Sequence, residues 1–144
     1  MEYAQFKFSI IMEEAQLKHL EFVQGVITRM NSNSFSIKTL MVTILAAFIA
    51  LFANKPNEWY VLAAILPTFI FWLLDTYYLK MERQYRKFYK DVVDGKTELF
   101  DMNASKKDVS YFDVLFSKTE ALIYGVIIVL LVVAWLMLHY GIFA

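Results

Sequence analysis

The side chains best placed to do chemistry lie in one stretch, WLLDTYYLKMERQYRKFYK, from Trp72 to Lys90. An aspartate, Asp75, sits inside an apolar run, and five bases follow it among aromatic residues: Lys80, Arg83, Arg86, Lys87 and Lys90. At about 100° per residue these bases share an arc of roughly 120°, while Tyr78, Met81, Tyr85, Phe88, Tyr89 and Val92 take the other side. The chemistry of such a face is attraction of phosphate oxygens, from lipid headgroups or from a phosphodiester chain. The stripe climbs about 15 Å at 1.5 Å per residue, whereas attraction to a charged surface fades within a Debye length of about 8 to 10 Å. Its far end would therefore have left the lipid behind. The aromatic residues do not alternate with the bases on one surface, as a self-contained single-strand platform requires, so they are expected to pack on a neighbouring helix or subunit.

Asp75 offers a second chemistry, because an ionisable group within a span marks a candidate site for ions or protons. The plainer reading is an ion pair with Lys38, at the start of the first apolar segment, or a contact with Lys80 or the Tyr77 hydroxyl, with Arg29 as a further partner. Catalysis has little to work with. His19 and His139 lie far apart and cysteine is absent. Metal-ligand spacing, a nucleophile elbow, a phosphate-cradling glycine loop and paired catalytic carboxylates are all missing, so neither an enzyme nor a cofactor nor a metal is expected.

The elements that carry these residues follow from composition. With 59% hydrophobic and 17% aromatic residues in 144 and a mean hydropathy of +0.47, the chain is too apolar for a soluble domain of this size. Fourteen basic and fourteen acidic residues cancel, so any polyanionic partner must be argued from local clustering. The opening MEYAQFKFSIIMEEAQ lacks a basic n-region and a cleavage site and reads as mature sequence. Three segments, 36–53, 59–79 and 119–144, are each long and apolar enough to span a bilayer. Trp59, Tyr60, Tyr77 and Tyr78 form interfacial belts on the second, and Pro67 within it predicts a kink. Nine of the fourteen bases fall between Lys80 and Lys118, and only Lys55 lies between the first two spans. The positive-inside rule then predicts an N-terminus in the cytosol and a C-terminus outside.

The expected fold is an all-α integral membrane protein: an N-terminal amphipathic cytosolic helical region (1–35), two transmembrane helices (36–79), a cytosolic extension of the second span with its loop (80–118), and a third transmembrane helix with a short outer tail (119–144). In the first region Leu17, Leu20, Val23, Ile27 and Met30 recur at helical spacing, and Glu14 and Lys18 are set for an i,i+4 pair. Asn31–Ser34, NSNS, predicts a break or hinge and an N-cap for the first span. Gly95 predicts the stop of the second helix near Val93, and short helical pieces are expected in the loop that follows. Thr39 and Thr43, with Thr68 and Tyr124, are the few polar residues available to line a pore; such a pore would be mostly hydrophobic, a type closed by dewetting. One three-span chain cannot enclose an aqueous path, so conduction implies a homo-oligomer, and small residues at Ala46–Ala50 and at Ala121 and Gly125 allow close helix contact.

LKHLEFVQGVITRMNSNSFSIKTL followed by FWLLDTYYLKMERQYRKFYKDV resembles the small membrane effectors of bacterial anti-phage operons of the Hailong type, over roughly residues 17 to 93 and in the three-span layout. The resemblance implies a homo-oligomeric ion channel of the bacterial inner membrane, with a tetramer favoured. It would be held closed by a single-stranded deoxyadenylate oligomer from an operon-encoded nucleotidyltransferase, and opened during infection to depolarise the cell. By position, Arg83, Arg86, Lys87 and Lys90 would then meet phosphates, and Tyr85, Tyr89 or His19 would stack on bases. The alternative is a non-catalytic regulatory or structural membrane subunit whose basic face meets anionic lipid or a protein partner.

Overall fold

The computed structural model describes residues 1–141; the last residues of the expected outer tail, 142–144, lie outside the described residues. Two long helices dominate, α1 (Glu2–Asn54, 53 residues) and α2 (Glu58–Val93, 36 residues). A short α3 (Tyr111–Leu115) precedes α4 (Lys118–His139), which contains one π-helical turn, Ala121–Gly125. No strand occurs among the described residues. α1, α2 and α4 are each long and apolar enough to cross a membrane, and the chain is a membrane protein.

α1 and α2 run antiparallel, joined by a turn in which the Asn57 carboxamide oxygen accepts the Trp59 N–H at 3.0 Å and so caps α2. The residues α1 buries, His19, Val23, Ile27, Ser34, Ile37 and Met41, fall at steps of three, four or seven, the seam of a coiled-coil-like pair. Its phase differs from the expected amphipathic face: Leu17 is exposed and His19 is buried. Lys18 pairs with Glu21 at 2.7 Å instead of with Glu14.

The expected break at Asn31–Ser34 does not occur, and α1 passes through it. Short polar side chains end helices when they bond to the backbone in non-helical geometry. Here the hydroxyls are used differently. Ser36 donates to the Ser32 carbonyl at 2.9 Å, Thr39 to Phe35 at 3.0 Å and Thr43 to Thr39 at 2.9 Å, all compatible with the helix, while Ser34 donates across to α2. Buried Ile27 and Ile37 flank the segment and hold it against α2.

α2 continues without interruption from the apolar span into its basic half, with Pro67 inside the helix. It stops at Gly95, whose φ of +67° is the left-handed conformation a Schellman end requires. The Gly95 N–H donates to Val92 O at 3.1 Å and the Lys96 N–H to Asp91 O at 2.8 Å. At this end of the bundle, opposite Pro56 and here called basal, Val23 and Ile27 of α1 meet Phe88 and Val92 of α2 and Ala104 of the loop. The aromatic side of α2 thus packs on α1. The loop is tied down along α2 by Tyr85 Oη to Met102 O (3.0 Å), Gln84 Nε2 to Lys107 O (2.9 Å) and the Lys107–Asp91 ion pair. α3 turns Val114 and Leu115 inward and leaves Phe112 and Phe116 exposed; Tyr111 donates its hydroxyl proton to Leu73 O at 2.7 Å.

Candidate functional site

The three spans meet at a buried polar cluster. In α1, Ser34 and Lys38 stand one turn apart on the face toward α2; in α4, Glu120 and Tyr124 do the same; Asp75 of α2 lies between them. Both oxygens of Asp75 accept hydrogen bonds. Its Oδ1 accepts the Ser34 hydroxyl at 2.5 Å, and its Oδ2 accepts the Lys38 ammonium and the Tyr124 hydroxyl, the latter at 2.8 Å. Lys38 Nζ also donates to Ser34 Oγ at 3.0 Å and lies 3.2 Å from Glu120 Oε1, within ion-pair range. Asp75, Glu120 and Tyr124 are 0% exposed, while the Lys38 side chain keeps 22%. Trp72 covers Tyr124 with the ring planes 9° apart and donates its indole N–H to Leu115 O at 3.2 Å, fastening α3 beside the cluster.

Glu120 is the exception. Neither of its oxygens accepts a hydrogen bond, although both are buried, and Ser117 Oγ is equally without a partner. Ser117 and Glu120 have the S-x-x-E spacing of a capping box, yet Ser117 makes no side-chain cap and the Glu120 side chain is turned inward toward Lys38. One ammonium therefore faces two buried carboxylates. The π-helical turn at Ala121–Gly125 separates Glu120 from the regular part of α4; such turns are rare and frequent at functional sites.

Of the partners expected for Asp75, Lys38 is the one present. Tyr77 is exposed, Lys80 makes no ion pair among the described residues, and Arg29, named as a further partner, is also exposed and outside the cluster. Two members of the cluster lie outside the sequence-based expectation: Ser34, where a break is predicted, and Glu120, which lies inside the third apolar segment. Tyr124 was read only as a polar residue for a conduction path. The available signal was the i,i+4 repetition of polar residues, Ser34 with Lys38 and Glu120 with Tyr124, at the same ends of two apolar segments.

Two bases on the basic side of α2 are engaged from within, one by a carboxylate and one by a backbone carbonyl. Arg86 Nε donates to Glu82 Oε1 at 2.6 Å and Lys87 Nζ to Asp108 O at 2.6 Å. Arg83, half-buried, and Lys90, exposed, make no ion pair among the described residues. The expected stacking residues lie elsewhere. His19 is 1% exposed; its Nε2 is 2.6 Å from Asp101 O and its Nδ1 accepts the Phe100 N–H at 3.3 Å, which assigns the proton to Nε2. With both nitrogens used and its ring against Phe88 and Phe100, His19 latches the loop to α1 and is not presented to a ligand. Tyr85 and Tyr89 pack on the basal core. Thr39 and Thr43 are exposed on α1 with their hydroxyls bonded to their own helix.

Toward the opposite end, α1 and α4 splay around α2 to leave an open apolar groove of about 710 Å³, lined by Leu45, Phe52, Val61, Leu131 and Ala134 among others. Among the described residues no group of three or more His, Cys, Asp or Glu could hold a metal ion. In comparisons with known proteins, no family model, no curated protein and no solved structure matches the chain.

Proposed function

We propose that the chain is a subunit of an oligomeric membrane channel, a pore effector whose state is set by an anionic cytosolic ligand, a nucleotide or oligodeoxyadenylate, meeting the basic side of α2. The observation that carries this reading is the continuity of α2: one helix bears both the outward bases Arg83 to Lys90 and Asp75, the hub of the cluster that ties the three spans. A ligand acts on a pore only through a difference in its affinity for the closed and open states, and a rigid helix couples the two places. The charge bias of the loops favours a cytosolic basal end in a bacterial inner membrane. Three spans per chain require several copies around a water path, with a tetramer favoured. The anti-phage role and the deoxyadenylate ligand rest on the family resemblance alone.

The test is single-channel recording of the purified protein in a planar bilayer, before and after nuclease treatment and with a synthetic deoxyadenylate oligomer added on the basal side. Currents controlled by the oligomer are expected. An Arg83→Glu, Lys90→Glu variant, chosen because neither base makes an ion pair among the described residues, should assemble normally and lose oligonucleotide binding. Unchanged binding by that variant would sink the site. The Arg86–Glu82 ion pair and the tie of Lys87 to the Asp108 carbonyl favour one second reading, a regulatory membrane subunit whose remaining bases meet lipid or a protein partner. In that case an assembled oligomer stays silent in every condition, and charge reversal abolishes partner capture instead.

A further inference from the structure

We propose that the buried cluster holds one exchangeable monovalent cation, a proton or a sodium-sized ion, at Glu120 beside the Lys38–Asp75 pair. The charged and titratable groups facing this point are Lys38 from α1, Asp75 from α2, and Glu120 and Tyr124 from α4; Ser34 adds a hydroxyl, and Ser117, three residues before Glu120, carries a further buried one. Two carboxylates against one ammonium leave a single negative charge on groups that have no exposed surface of their own. An uncompensated charge in such surroundings is strongly unfavourable, and buried charges are paired or bind ions. The deficit is one unit, which matches a monovalent cation and leaves a divalent one overcharged.

The oxygens say where it goes. Asp75 already accepts from Ser34, Lys38 and Tyr124 and has no need of another donor. Both Glu120 oxygens and Ser117 Oγ are buried, three residues apart in sequence, and without a hydrogen-bond partner. A buried carboxylate of this kind suits a proton on the carboxyl or a hard cation bound by its oxygens. Buried polar atoms without partners are rare, and a bound ion or proton is one way to satisfy them. The way in is past Lys38, whose side chain is the one exposed member of the ion-paired trio. This site is independent of the ligand-gated reading and would be present in an unliganded or a non-conducting assembly.

The experiment uses the full chain in lipid nanodiscs at neutral pH and constant ionic strength, with choline, potassium or sodium as the salt. Two quantities are read: the infrared carbonyl stretch of a protonated carboxyl group, and the thermal unfolding midpoint. If the cation is a proton, the wild type shows the protonated-carboxyl band in choline, at an intensity of about one group per chain, and Glu120→Gln lacks it. If it is sodium-sized, the band is absent and the midpoint of the wild type climbs with each tenfold rise in sodium but not in choline, while Glu120→Gln is flat. Should Glu120→Gln fail to assemble, Glu120→Asp keeps the carboxyl and withdraws it by one methylene; it should shift the band or raise the sodium needed about tenfold. No protonated band together with a midpoint indifferent to sodium and potassium in the wild type overturns the proposal, as does a band that persists unchanged in Glu120→Gln.

Discussion

Replacing Lys38 by methionine removes the single positive charge of the polar cluster with little change in side-chain volume. The Lys38 ammonium touches Asp75, Ser34 and Glu120, so the variant leaves two carboxylates, one from α2 and one from α4, without a counter-charge. Breaking a buried pair by removing one partner destabilises by about 3 to 5 kcal/mol. Two features place Lys38→Met at the lower end. Its side chain retains 22% exposure, so part of the interaction is screened, and Asp75 keeps hydrogen bonds from Ser34 and Tyr124. The expected loss is about 3 kcal/mol, a factor on the order of a hundred in the folded-to-unfolded ratio. Reversible unfolding in mixed micelles, followed by far-ultraviolet circular dichroism, measures it. The companion variant Lys38→Met, Asp75→Asn, Glu120→Gln carries no charge in the cluster and should regain most of the loss, since a neutral site has no uncompensated charge to bury. A loss below about 1 kcal/mol for Lys38→Met alone, or no recovery in the triple variant, would refute the view that charge balance at this point holds the spans together.

Two further expectations concern the basal end. Phe88, 2% exposed at the contact of α1 with α2, should lose about 3 to 5 kcal/mol on truncation to alanine, and limited proteolysis should then cut the loop that Met102 and Ala104 anchor; a variant as resistant as the wild type would mean that this core is dispensable. Gly95→Ala keeps open space around the new methyl group but forces it into a φ of +67°, so a destabilisation of about 1 kcal/mol is expected from backbone strain alone, measured by hydrogen exchange at the end of α2, and an Asn at the same position should lose less.

The sequence carried enough information to find the spans, the run of α2 from its aromatic belt into the basic stripe, its stop at Gly95 and the partnership of Asp75 with Lys38, because each depends on local composition or on a strong physical demand. What it hid has one cause. The rule that polar residues face outward holds where the solvent is water, and α1 crosses from one solvent to another. At the basal end Val23 and Ile27 face inward and Lys18 faces out. Within the spans Leu40, Val42 and Ile49 face out, and at the start of the first span Ser34 faces in. A short polar residue at the changeover therefore reads as a helix breaker by local propensity, while Asp75 across the interface requires its hydroxyl and the helix continues. Glu120 was hidden in the same way: next to Lys118 and Thr119 it looks like the wetted end of a span, and only the position of Lys38 reveals that it faces inward.

The changeover level is also where motion of the basal half has to be absorbed. From Asp75 to Arg83 is about 12 Å of unbroken helix at 1.5 Å per residue, so displacement of the basic stripe along the helix axis reaches the cluster almost undiminished. A slide of one residue, about 1.5 Å, is far more than a hydrogen bond of 2.5 to 2.8 Å tolerates before it is lost. The Ser34 and Tyr124 bonds to Asp75 cannot stretch with such a movement; they hold or they break together with the Lys38 contact. Packed interfaces respond to small shifts by switching between discrete arrangements, and a cluster joining all three spans through one carboxylate is where a switch in this chain would be set. Glu120 Oε1, already 3.2 Å from the Lys38 ammonium, then gains a second meaning, as the carboxylate that keeps Lys38 when it is released from Asp75.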